Sequence, residues 1–288
     1  MLAIRHILFP FDFSERSVGA APFVESVAAR YGASITLFNV VQPMVYAGGA
    51  EMGAPLMMDM DTIRAAAQSQ LDGSLIKELG TVPVKRVVMV GDPAREIAAF
   101  AHDHRVDLIM MPTHGYGAFR RLLLGPVTAK VLHDVECPVW TGAHIEEAPI
   151  QSHLACRNVL CAVDRNAAAE PLLRWAADFC RDSGAKLRLV HVAPAIDTWP
   201  GRQLDQEFAE HLRTDAREFL NQMQRSAGVE APLCVTAGDV AGGVRDEARR
   251  HNSDLVIIGR GVIHEKLGRL RTHAHSIIRQ APCPVLSV

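Results

Sequence analysis

Residues 107–142 read DLIMMPTHGYGAFRRLLLGPVTAKVLHDVECPVWTG, and residues 254–288 read DLVIIGRGVIHEKLGRLRTHAHSIIRQAPCPVLSV. Both open on Asp and an apolar run, and both close on Cys-Pro-Val and a second apolar run. The agreement extends upstream, where HILFPFDFSERS at 6–17 is matched by NVLCAVDRNAAA at 158–169. Asp12 pairs with Asp164 and Val40 with Val192, each 152 positions apart, and Asp107 pairs with Asp254 at 147. A period near 150 far exceeds the ~20–50 residues of a solenoid unit. It is the size of one globular domain. The chain reads as two copies of one domain, 1–144 and 154–288, with the polar, Pro-containing AHIEEAPIQSHLA (143–155) as linker.

Within each copy, apolar runs alternate with amphipathic stretches, the pattern of a parallel sheet covered by helices. In the first copy, strands are expected at 6–11, 34–41, 84–90, 108–111 and 138–141. A helix capped by Ser14 runs to Tyr31 and ends at Gly32. Further helices are expected at 62–79, stopped by Gly80, from Pro93 onward, and at 126–133. The second copy repeats the strands at 158–163, 186–192, 232–237, 255–258 and 284–288, with its longest helix at 203–226. Right-handed crossovers turn each set into a five-stranded, doubly wound α/β sheet. Such sheets bind ligands past the carboxyl ends of their strands, where strand order reverses. The loops of interest therefore follow strands one, two and four.

Composition excludes several classes. The 288 residues are 49% hydrophobic and 22% charged, with net charge −2. Residues 1–150 hold 12 Lys+Arg against 16 Asp+Glu, and residues 151–288 hold 18 against 16. Neither half is basic enough for nucleic acid as its main partner. No run of 18 apolar residues suits a membrane span, and the N-terminal stretch does not read as a signal peptide. A cytoplasmic protein is expected. Of six cysteines, only Cys137 and Cys283 correspond between the copies, and none forms a metal-type pair. They read as free thiols in a reducing compartment.

Asp12 follows the first strand directly, where its carboxylate can accept from a ribose hydroxyl or amino group, or can cap the helix near Ser14. Asp164 stands at the same place in the second copy. Gly115 and Gly125 bracket nine residues, and Gly125 abuts a helix start, so the N–H groups opening that helix, at Val127 and Thr128, can face an anion. A plain tight turn would carry the same two glycines. Arg120 and Arg121 lie in this loop, to meet phosphate or solvent. His273 and His275, with His264 nearby, suggest a metal, but positions i and i+2 do not share a helix face. No metal site, paired carboxylates or Ser-His-Asp arrangement stands out. The Met-rich residues 44–60 read as a lid over the pocket or an ordinary connection.

The duplicated Asp, the five-strand layout, the glycine loop and the Cys-Pro-Val ending together resemble the universal stress protein family, in a tandem member. The resemblance implies an ATP site built from Gly-x-x-Gly, nine residues, then Gly-Ser/Thr, with the Asp near adenine and main chain at Val40 holding the base. In the first copy, Pro112 replaces the first glycine, Gly115 and Gly125 are in register, and Pro126 replaces the hydroxyl residue, removing an N–H as well. In the second copy, Asp164, Val192, Gly259, Gly261 and Thr272 occupy the matching places, the loop is one residue shorter, and Arg271 stands where glycine belongs. ATP is therefore expected in the first copy rather than the second. The resemblance also implies docking of the two copies through their final strands, as an internal pseudo-dimer, with a homodimer as a further option. The expected function is a non-catalytic stress-response regulator that binds adenine nucleotide, with protein partners unspecified. A nucleotide-free interaction module of the same family is the alternative, and a slow nucleotide hydrolase or adenylating enzyme the third.

Overall fold

The structure, a computed structural model, describes residues 2–43, 59–113, 124–142, 156–193, 206–260 and 270–288, with backbone only at 206–209 and 270–272. β1 (His6–Pro10) buries Ile7, Leu8 and Phe9 completely, as a strand covered on both faces must. It pairs in parallel with β2 (Ser34–Val41) on one side and β4 (Leu108–Met110) on the other. β3 (Val84–Val90) lies beyond β2, and β5 (Val139–Thr141) beyond β4. The crossovers are α1 (Glu15–Tyr31), α2 (Met60–Asp72), α3 (Pro93–Asp103) and α4 (Pro126–Asp134). Strand order β3-β2-β1-β4-β5 reverses between β1 and β4, which places the switch point there.

The second half repeats this arrangement with β6 (Asn158–Ala162), α5 (Ala169–Ser183), β7 (Lys186–Ala193), α6 (Gln206–Ala227) and β8 (Leu233–Ala237). α7 (Val240–Arg250), β9 (Leu255–Ile258), α8 (Leu270–Gln280) and β10 (Val285–Ser287) complete it. Each half is the doubly wound α/β sheet that the sequence pattern requires. Most strand and helix ends fall within one residue of expectation.

The largest departure is α2, which ends at Asp72 instead of 79. Leu75 adopts a left-handed φ of 53°, which no helix continues through. Residues 73–80 instead form hydrogen-bonded turns, with Leu75 and Leu79 still buried. The Arg86 side chain, on β3, donates to Leu71 O and Ser74 O and so ties down the turn where the helix breaks.

The halves join edge to edge. β5 and β10 run antiparallel with Trp140 opposite Leu286, giving one ten-stranded sheet. Trp140 is 1% exposed, and its indole meets Phe23 of α1 and Phe179 of α5 edge-on, at 5.3 and 5.9 Å. Burying this one side chain contributes a gross ~4–6 kcal/mol from its ~150–250 Å². The seam also removes two strand edges that would otherwise stay unpaired.

Candidate functional site

In the first domain, Asp12 lies two residues past β1. Its Oδ1 accepts from Ser14 N at 3.1 Å, Ser14 Oγ at 2.6 Å and Ser17 Oγ at 2.5 Å. Ser14 in turn accepts from Ser17 N and caps α1. Oδ2 accepts no hydrogen bond among the described residues. Capping thus occupies one oxygen and fixes the direction of the other. Phe13 turns the chain with φ 62°, a cost on the order of 1–2 kcal/mol. The buried Asn39 donates through Nδ2 to Phe11 O at 2.8 Å, holding the approach to Asp12. β1 pairs with β2 only as far as Pro10 opposite Phe38. Val40 therefore runs past the last β1 register, with main chain on that side beyond the ladder.

The loop after β4 is stitched at its base. Gly125 N donates to Thr113 O at 2.9 Å, and Thr128 Oγ1 donates to Pro112 O at 3.2 Å. Gly125 is the N-cap of α4, with φ −59° and ψ 145°, and supplies no side-chain cap. Pro126 has no N–H, so the free donors of the first turn are Val127 N and Thr128 N. With the positive end of the helix dipole they can hold an anion. Gly115, Arg120, Arg121 and the Met-rich stretch, apart from its last two residues, lie outside the described residues.

The second domain differs in detail. Asn166 and Ala169 stand where the first domain has Ser14 and Ser17. Asn166 Oδ1 accepts from Ala168 N at 2.9 Å, closing its own turn. Asp164 is left exposed; its carbonyl accepts from Asn166 N, but its carboxylate has no hydrogen bond among the described residues. His191 takes the part of Asn39, donating through Nδ1 to Val163 O at 2.8 Å, which fixes its tautomer. Asp164, Leu172, Val192, Gly259, His273 and Ile277 line one cleft. His273, set aside above as a metal ligand, here occupies the place of Val127 at the opening of α8. Gly261 and the side chains of Arg271 and Thr272 lie outside the described residues.

Sequence reasoning missed three things. The Asp-x-Ser-x-x-Ser spacing of DFSERS was the available signal for the anchored carboxylate. Asn39 and His191, at matching places next to Val40 and Val192, were the signal for the clamped turn. Arg260, read only as part of a short loop, points away from its own cleft. Its guanidinium donates to Val135 O, Glu136 O and Cys137 O of the first domain, and burial pulls its pKa below the ordinary value. Among the described residues, no group of three His, Cys, Asp or Glu converges as a metal site. No described helix is long and apolar enough to cross a membrane.

The fold is a tandem pair of doubly wound α/β domains, a class whose ligands bind at the switch point of the sheet. The chain belongs to the universal stress protein family, whose pattern matches residues 3–141 and again 155–288. It is similar to a universal stress protein of Methanocaldococcus jannaschii, 28% identical over 149 residues, covering 47% of this chain and 79% of the relative. One from Thermus aquaticus is 26% identical over 133 residues, covering 46% and 94%. A solved universal stress protein from Archaeoglobus fulgidus superimposes along 100% of this chain and 97% of its own, with TM-score 0.69 at 20% identity. A putative one from Pseudomonas aeruginosa covers 100% and 94%, with TM-score 0.66 at 16% identity. At such identities the two structures speak for the fold.

Proposed function

We propose that this protein is a non-catalytic, cytoplasmic stress-response regulator that binds ATP or a related adenine nucleotide, with its principal site in the first domain. The proposal includes the domain limits 1–144 and 154–288. One observation carries it: a carboxylate with one oxygen anchored and one free stands across the switch point from an uncapped helix N-terminus. Asp12 Oδ2 is aimed for a ribose hydroxyl or adenine amino group. Val40 main chain supports the base. Val127 N and Thr128 N take phosphate oxygens, with Gly115 and Gly125 keeping the approach open. The second domain offers Asp164, Val192, Gly259, Gly261 and Thr272 for a smaller or phosphate-displaced ligand.

Calorimetric titration of the full chain with ATP tests this. Binding is expected at one principal site. Ser17→Ala, which copies Ala169, removes one of the three hydrogen bonds to Asp12 Oδ1 and should weaken affinity about five- to tenfold, the scale of one lost hydrogen bond to a charged group. Gly125→Arg should weaken it more, because the backbone there accepts any residue while the side chain fills the phosphate path. No heat and no thermal shift at millimolar ATP would refute the nucleotide reading. The nucleotide-free interaction module would then stand, favoured by Pro126, which leaves α4 only two free donors.

A further inference from the structure

Arg260 belongs to the switch-point loop of the second domain, directly after Gly259, yet its guanidinium acts in the first. Nη1 donates to Val135 O at 2.6 Å, and Nη2 donates to Glu136 O and Cys137 O, both at 2.8 Å. These carbonyls are consecutive. Val135 is the C-cap of α4, and Cys137 leads into β5. The contact therefore ties down the end of one helix and the start of the seam strand. The arginine's own backbone is fixed too, since Arg260 N donates to Val288 O at 3.0 Å and Val288 N to Ile258 O at 2.9 Å.

A planar cationic fork on three carbonyls at the negative end of a helix is a strong, directional contact. Thr113, beside Pro112, holds the corresponding position in the first domain, and its short side chain carries no such fork. The Arg260 contact runs from the second domain into the first. α4 has nine residues, so its ends are only ~13 Å apart. One end is held by Arg260; the other carries Val127 N and Thr128 N.

We infer that Arg260 is a positioning residue for the first domain's phosphate site: by fixing the far end of α4 it aims the Val127 and Thr128 amides. The second domain thereby completes the ligand site of the first. The inference rests on the nucleotide reading given above.

The test uses the full chain, ATP as probe, calorimetry, and the amide NMR signals of Val127 and Thr128. Arg260→Met keeps the length of the side chain and loses the fork. Arg260→Lys keeps the charge and reaches fewer carbonyls. ATP affinity should fall about tenfold in the Met variant, the order of one charge-assisted contact at the ligand, and the Lys variant should fall between. The ATP-induced shifts of both amides should shrink in the same order. Wild-type affinity in both variants, or weakened affinity with unaltered amide shifts, would overturn the positioning role and leave the nucleotide reading standing. If wild type itself binds no ATP, that reading fails and the positioning role falls with it. If the Met variant does not fold, Lys alone decides, and wild-type affinity there overturns the inference.

Discussion

Asp12 and Asp164 hold the same place in the repeat and differ in what their neighbours let them do. Ser14 and Ser17 anchor the first; Asn166, which closes its own turn, and Ala169 do not anchor the second. Two neighbouring side chains thus decide whether a carboxylate is pre-oriented. The cysteines show the opposite, a residue type made silent by surroundings. Burial raises Cys156 to about 11 and Cys180 and Cys283 to about 12, from an ordinary value of 9.0. It raises Cys161 as well. At pH 8 these four should resist iodoacetamide in the folded chain, while the half-exposed Cys234 reacts first; peptide mass spectrometry reads the order. The same shifts set a pH limit. Folding favours the protonated thiols, so their contribution is complete below pH 9 and is lost as pH rises from 9 towards 11–12. Each adds at most ~1.4 kcal/mol of slope per pH unit. Urea midpoints should therefore hold steady from pH 7 to 8.5 and fall above 9. A flat profile to pH 10.5 would mean that these thiols are not buried.

Helices and strands keep their places in the repeat even where their contents change. At the end of α3, Phe100 stacks on His104, with ring centroids 3.8 Å apart. At the same point of α7 stands the buried Glu247, paired with Arg250 at 2.6 Å and His251 at 3.1 Å. An aromatic stack and a buried carboxylate paired with an exposed arginine close the same corner, so the element is fixed by its apolar spacing more than by any one contact. Strand ends are less forgiving. A Cβ on Gly142, just past β5, would sit 2.9 Å from Pro284 Cα across the seam. Backbone on backbone cannot give way cheaply. Gly142→Ala should destabilise the chain by about 1–3 kcal/mol, as overpacking does, measured as a shift in urea midpoint. A neutral result would show that the seam is looser than this contact requires.

The whole molecule is one sheet made from two domains. Fusion turns their association into an intramolecular event at high effective concentration. Val285 is fully buried opposite Thr141, so Val285→Asp places an unpaired charge in the seam, at a cost of several kcal/mol. That exceeds what three residue pairs of strand can offset. The variant should have a larger scattering radius and red-shifted tryptophan emission as Trp140 meets water. Unchanged radius and emission would contradict the seam.

The sequence alone determined the duplication, the doubly wound α/β class, the family and the strands, because apolar runs of fixed spacing can be buried in few ways. It also placed Ser14 and Gly32 at the ends of α1, where capping is a local matter. It did not foresee the break in α2, because Leu75 takes a left-handed turn to reach the core and Arg86, from another strand, ties down the turn. Nor did it show that Ser14 and Ser17 anchor one oxygen of Asp12, that Asn39 and His191 clamp matching turns, or that Arg260 bonds carbonyls of the other domain. Each of those depends on atoms brought together from distant positions. Residue spacing encodes periodicity along the chain, and only the folded chain sets the distances across it.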